Sequence, residues 1–344
     1  MVDHDNVFAT FMRTQRFTAP ELPSERPSPE SLATADRRAR FWTSTHDGTL
    51  RIGSDAHKRE VCRMFVETFN AYRPSVIDWP KLSTEMLDRV TSLPIWDIAV
   101  HTESRARLRF ATFAASVSDA DIARAVMLNA WEENRHKEVI ANLVAAYGIA
   151  PAPEPPFRQP RNAKWWFLVT GYQESIDSFF AFGLFELARR SGFFPAELVE
   201  TFEPVIQEEC RHILLFANLV AWERANLSWW RRLGFELRIA AVWTYIAWER
   251  MVLARSLHPK GHGAGQDANF TATTAKSISA VDLNARDLFE ICLKENDRRF
   301  AGYDHRLVRP STIPKLARFA LRFMKSRARQ QPAAEQLESD PQES

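Results

Sequence analysis

Apolar residues recur every three to four positions along most of this chain, rather than alternating, across proline-free windows at residues 95–150, 161–194, 205–258 and 260–309. That is the period of helices with one buried face, because 3.6 residues complete a turn. Ser118-Asp-Ala-Asp is a helix-start signature, and Gly148 and Gly192 stand where helices should stop. The spacing predicts helices at about 84–117, 119–147, 162–191, 196–225 and 228–256, with one or two more up to about residue 328. The pattern is that of an all-α protein.

Punctuation lies mostly outside these windows. Residues 1–60 hold Pro20, Pro23, Pro27 and Pro29 among charged and small polar residues, and read as a loosely ordered N-terminal arm able to clasp the body. Residues 61–328 then form one helical domain, with a bundle core at about 84–225 and additional helices at 228–328. The Gly/Thr/Ser-rich stretch 261–279 reads as a loop, with His258 and His262 as loop residues beside it. The polar, acidic stretch 329–344 reads as a disordered tail.

Charge changes the picture by exclusion. With 45 Lys+Arg against 43 Asp+Glu, the net charge of +2 gives no field suited to nucleic acid, and no zinc-finger or Gly-rich phosphate motif is present, so nucleic acid is not an expected partner. Cys62, Cys210 and Cys292 lie far apart without a Cys-x-x-Cys pair, which fits a reducing compartment. With no signal-peptide pattern visible, the expected location is cytoplasmic. The most apolar stretch, Ile239 to Trp248, is ten residues long, about half of the ~20 that a bilayer span requires, so a transmembrane protein is not expected.

The chemistry is carried by an internal repeat. Glu132-Glu133-Asn134-Arg135-His136 recurs 76 residues later as Glu208-Glu209-Cys210-Arg211-His212, and Ala141-Asn-Leu-Val-Ala145 recurs at the same offset as Ala217 to Ala221. A Glu and a His three residues apart share one helix face, so carboxylate and imidazole can reach one metal ion. Phe202, Val205, Ile206, Ile213 and Phe216 surround the second pair, and Val126, Ala130 and Ile140 the first, which places both inside the core. A buried carboxylate needs a partner, either a metal or an opposite charge, and buried Glu–Arg and Glu–His bridges are the alternative to a metal.

A dinuclear site needs one more carboxylate from each of two further helices. Glu103 stands among Trp96, Ala99, Val100, Ala106 and Phe110, and Glu174 among Phe167, Thr170, Gly171, Ala181 and Phe182. Asp97 competes with Glu103 for that role, and Asp177 can compete with Glu174 or hydrogen-bond to it. His101, one residue off the Glu103 face, reads as structural.

This pattern resembles the ferritin-like non-haem diiron-carboxylate proteins over residues of about 95–225, the class of ribonucleotide reductase small subunits, acyl-carrier-protein desaturases and bacterial multicomponent monooxygenases. The resemblance implies a ferritin-like four-helix bundle with additional C-terminal helices. It implies two iron ions, or a manganese–iron pair, held by Glu103, Glu133, His136, Glu174, Glu209 and His212, with O2 as co-substrate. Glu132 and Glu208 would accept hydrogen bonds from the ligand imidazoles, and Arg135 and Arg211 would balance their charge.

Ile140 stands where a reductase subunit has its radical Tyr, and Val205 where the amine N-oxygenase branch has a third His. Ser178 resembles the hydroxyl residue that hydroxylating monooxygenases place beside the oxygen-binding face, and is the candidate catalytic side chain. The implied activity is an O2-dependent oxygenase or desaturase acting on an organic, apolar small molecule. Electrons would come from a separate ferredoxin or flavin reductase, since the chain has no dinucleotide fingerprint, and a homodimer is compatible with the class. The second reading is a ferritin-type protein that binds and oxidises iron without an organic substrate; the hundred residues after the bundle and the long irregular ends stand against it.

Two features remain. The 11 Trp and 24 Phe are most simply core packing, the alternative being that Phe167, Phe179, Phe180 and Phe182 line an apolar cavity with Gly171, Ser178 and Ala181. The segment Ile313 to Arg329 sets Leu316, Phe319, Phe323 and Met324 against Lys315, Arg318, Arg322 and Lys325 without an acid. It reads as a terminal helix docked on the body, or as a contact for anionic lipid or an acidic electron-transfer partner.

Overall fold

The computed structural model describes residues 4–73, 77–92, 96–150, 153, 159–192, 194–256 and 285–324. Among these the chain is all-α. Its helices are α1 (His4–Thr14), α2 (Pro29–Arg40), α3 (Asp55–Glu67), α4 (Thr84–Thr91), α5 (Trp96–Ser116), α6 (Ala120–Ala146), α7 (Ala163–Ser191), α8 (Ala196–Asn226), α9 (Trp229–Ser256), α10 (Ala285–Phe300) and α11 (Thr312–Leu321). The loop 261–279, its flanking His258 and His262, the stretch 329–344 and the side chain of Asp97 lie outside the described residues.

Local chemistry sets the boundaries. Asp119 accepts from the backbone N–H groups of Asp121 and Ile122 and starts α6, while Gly192, at a φ of 63°, ends α7 in the left-handed region that glycine adopts without strain. The helix expected at 84–117 is two helices, α4 and α5, with Pro94 between them in sequence, because proline removes a backbone donor and clashes with the preceding turn.

The first sixty residues, expected to be loose, carry α1, α2 and the start of α3. Pro29 opens α2 behind the Ser28 cap, the position where a fixed φ assists a helix, so a residue read as a breaker is a starter. Phe8, Ala39, Trp42 and Leu50 are buried, so this segment does clasp the body.

Helices α5 to α8 form the bundle; α3 packs on α6 and α8, and α9 and α10 pack on α7. The main core draws Phe110, Val126, Phe167, Leu214 and Phe216 from the four bundle helices and Met64 and Phe65 from α3. Close approach needs small residues on α7: a Cβ at Gly171 would lie 2.2 Å from the Phe216 ring of α8, and one at Gly183 2.4 Å from Cys292 Sγ of α10. No described helix is long and apolar enough to cross a membrane.

Candidate metal centre

The two repeats sit on α6 and α8 and face each other. Glu133, His136, Glu209 and His212 each offer a ligand atom, and these atoms lie within 4.8 Å of one another. The imidazoles stack with centroids 5.4 Å apart and planes 27° apart. Glu133, His136 and His212 are at most 1% exposed.

Each imidazole is held from behind by the other helix. His136 Nε2 donates to Glu208 Oε2 at 2.8 Å, and His212 Nε2 donates to Glu132 Oε2 at 2.9 Å. The arginines cross in the same sense: Arg211 Nη1 donates to Glu132 Oε1 at 2.9 Å and Arg135 Nη2 to Glu208 Oε1. These bonds run between the two helices rather than within one.

With Nε2–H committed outward, each Nδ1 turns toward the four-residue centre. His212 Nδ1 lies 2.7 Å from Glu133 Oε1, and His136 Nδ1 lies 3.1 Å from Glu209 Oε1. Beyond these contacts neither Nδ1 nor Glu133 Oε1 has a partner, and Glu174 Oε1, also buried, has no hydrogen bond. The two Nδ1 atoms and Glu133 Oε1 converge with only one another and Glu209 Oε1 as neighbours, which suits a cation between them, since buried polar groups are otherwise costly to leave so few partners.

Charge supports the same fit. Glu132 and Glu208 are matched by Arg211 and Arg135, leaving the carboxylates of Glu103, Glu133, Glu174 and Glu209, whose four negative charges two divalent cations would neutralise. In the metal-free site, burial and then the charges of Glu133 and Glu209 push the Glu103 carboxyl well above the usual range, and Glu174 likewise. Burial also acts to raise Glu132, but Arg211 and His212 outweigh it and bring the carboxyl down to about 2.

Glu103 and Glu174 line a cavity of about 290 Å³ that also takes in Glu133 and Glu209. On α7 its wall is the stripe Glu174, Ser178, Ala181, Phe185 and Ala188, one turn apart each time, which leads from the centre toward an apolar end at Leu198 and Phe202 of α8. Ser178 Oγ donates to Glu209 Oε2 at 3.2 Å. Asp177 lines the cavity but its carboxylate accepts from Arg250 Nη2 of α9 at 2.9 Å, and beside it Gln173 donates to Glu249, so α9 is tied along this wall by polar bonds. Phe167, Phe179 and Phe182 are core residues and not cavity lining, whereas Phe185, which the sequence reading did not single out, is on the wall. His101 is buried and stands outside the four-residue group.

Support from α3 and the turn after it was also unread. Thr68 Oγ1 accepts from Arg211 Nε at 2.7 Å, the Phe65 carbonyl accepts from Arg211 Nη2 at 2.5 Å, and the Asn70 carbonyl accepts from Arg135 Nη1 at 2.7 Å. Tyr72 OH donates to Glu208 Oε2 at 3.3 Å. No local motif marks these residues; only the amphipathic run of α3 into the core hints that this segment lies against the repeats. Comparisons of the chain with family models, with curated proteins and with solved structures find no match, so the reading of this centre rests on its geometry.

Proposed function

We propose that this chain is a ferritin-like non-haem diiron oxidoreductase that uses dioxygen to oxygenate or desaturate an apolar organic molecule. The observation that carries the proposal is the buried Glu133, His136, Glu209 and His212 group, with its inward atoms converging and its imidazoles fixed from behind. Glu103 and Glu174, whose carboxyls open on the same cavity, complete a six-residue donor set. Bound iron would supply the redox chemistry with dioxygen that no side chain offers.

The protein's own contribution is positional. Glu208 and Glu132, each held by an arginine of the facing helix, accept from His136 and His212 Nε2 and so keep each Nδ1 facing inward. Ser178 holds Glu209 through its hydroxyl at the cavity wall. Ala181, Leu184, Phe185 and Ala188 keep water from the region beyond and leave a slot for an apolar substrate. For oxygenation, dioxygen, two electrons and two protons yield one inserted oxygen atom and one water, so a separate reductant of the ferredoxin or flavin type is required.

The test is iron content after anaerobic loading of the full chain with ferrous ion, beside the double variant Glu133→Ala, Glu209→Ala. About two irons per chain in the parent and almost none in the folded variant are expected; a folded parent that retains no iron would sink the proposal. The cavity beside the centre is what favours an enzyme over iron storage. Cage-sized particles that take up iron without a substrate would reverse that preference.

A further inference from the structure

The outer surface of two helices is apolar where none of the described residues covers it. Helix α9 packs inward through Phe235, Ile239, Val242 and Ile246, all buried at helical spacing. Its outer side is apolar too: Trp230, Leu233, Leu237, Trp248 and Met251 are each more than half exposed. Arg231, Arg232 and Arg238 are exposed around the first three.

Helix α11 repeats the arrangement on a smaller scale. Pro314 and Ala317 are buried against the body, and Arg286 of α10 donates to the carbonyls of Leu321 and Met324 at 3.0 and 2.9 Å, fixing the C-terminal end. Outward it presents Leu316 and Phe319, each 56% exposed, and Phe323, 74% exposed, interleaved with exposed Lys315, Arg318 and Arg322. Residues 312–329 contain no acid. The neighbouring acid that reaches α11 is Asp297 of α10, which accepts from Arg318 at 3.1 Å in an exposed pair.

We propose that α11 seats the protein on an anionic lipid surface, without spanning it. A helix held to the body by one side, with Phe and Leu outward among Lys and Arg, buries its rings at the acyl boundary while its cations meet lipid phosphates.

Charge selects this occupant over a second copy of the chain. A two-fold contact sets one patch against itself, so Lys315, Arg318 and Arg322 would face the same cations with no acid of that segment to pair them. The acids of α9 are engaged elsewhere, Glu236 with Arg224 and Glu249 with Gln173. Glu249 and Arg250 of α9 line the cavity, between the exposed Trp248 and Met251. The docking does not rest on the proposed function.

The test is co-flotation of the full chain, without added metal, with vesicles of phosphatidylcholine alone and of phosphatidylcholine mixed with phosphatidylglycerol. Binding to the mixed vesicles only is expected, weakening as salt is raised. Lys315→Glu, Arg318→Glu, Arg322→Glu together, and separately Phe319→Ser with Phe323→Ser, should each weaken binding at least tenfold while circular dichroism stays that of the parent. Should a variant misfold, the salt series on the parent decides. No binding, equal binding to neutral and anionic vesicles, or a discrete dimer in solution with no vesicle binding would overturn the proposal. Because iron loading is measured separately, failure of the docking leaves the metal centre standing, and the reverse.

Discussion

The centre works through exchange: Glu132 serves the histidine of α8, and Glu208 the histidine of α6. Replacing either acid by Gln should keep the fold yet leave an arginine unmatched and an imidazole free to turn. We expect Glu208→Gln to weaken ferrous binding by about 10–100-fold, read by competition with a chelating dye. Protonation at His212 follows from the same contacts. Burial alone lowers its pKa, but the carboxylates of Glu133 and Glu132 raise it to about 9. In the metal-free protein the imidazolium between those acids stabilises the fold fully below about 6.5, its unfolded value, and that contribution is lost as pH rises through about 9. A metal needs the neutral ring, so loading at neutral pH displaces that proton. Dye-monitored proton release on loading should therefore drop by a step above about pH 9, and a release independent of pH across this window would contradict the assignment.

Helix α7 is crowded at Gly171 and Gly183, and these glycines matter for space rather than for flexibility. Gly171→Ala puts a methyl 2.2 Å from the Phe216 ring, so that ring or the helix pair must shift. A loss of about 1–3 kcal/mol is expected, measurable as a lower thermal midpoint, and an unchanged midpoint would show that Phe216 gives way freely. The helices α6 to α9 were legible because their apolar period is long and bounded by Asp119, Gly192 and proline. So was the group of Glu133, His136, Glu209 and His212, because Glu-x-x-His recurs in a sequence repeat. The crossing of Glu132 to His212 was not legible, since a repeat shows which residues correspond and not which helix each one serves. Thr68 and Tyr72 were equally silent, being single polar residues whose role exists only once α3 lies against α6 and α8. The cavity wall could have been read: positions 174, 178, 181, 185 and 188 form one helical stripe.

Across the whole molecule, the two ends of the described chain are fastened together. Trp42 N–H donates to the Gly302 carbonyl at 3.0 Å, Ser44 N–H to Asp304 Oδ2 at 2.9 Å, and Arg306 reaches the carbonyls of Ser44, His46 and Gly48. Tyr303 OH donates to the Ala39 carbonyl at 2.5 Å and accepts from Gln207 Nε2 at 3.2 Å, joining the clasp to α8. Tyr303→Phe leaves that carbonyl and that amide unpaired in a buried place, and should cost about 1–3 kcal/mol in urea denaturation without changing iron content. Equal stability would mean that the clasp carries no weight. The bundle helices lie between residues 96 and 226, while the partners of residues 39–48 lie at 302–306. On a ribosome the segment made among the first must therefore wait, unfastened, until almost the last described residues have left the exit tunnel. A chain that stops before residue 302 lacks every one of these partners, so the surface around Trp42 that they cover would stay open to solvent.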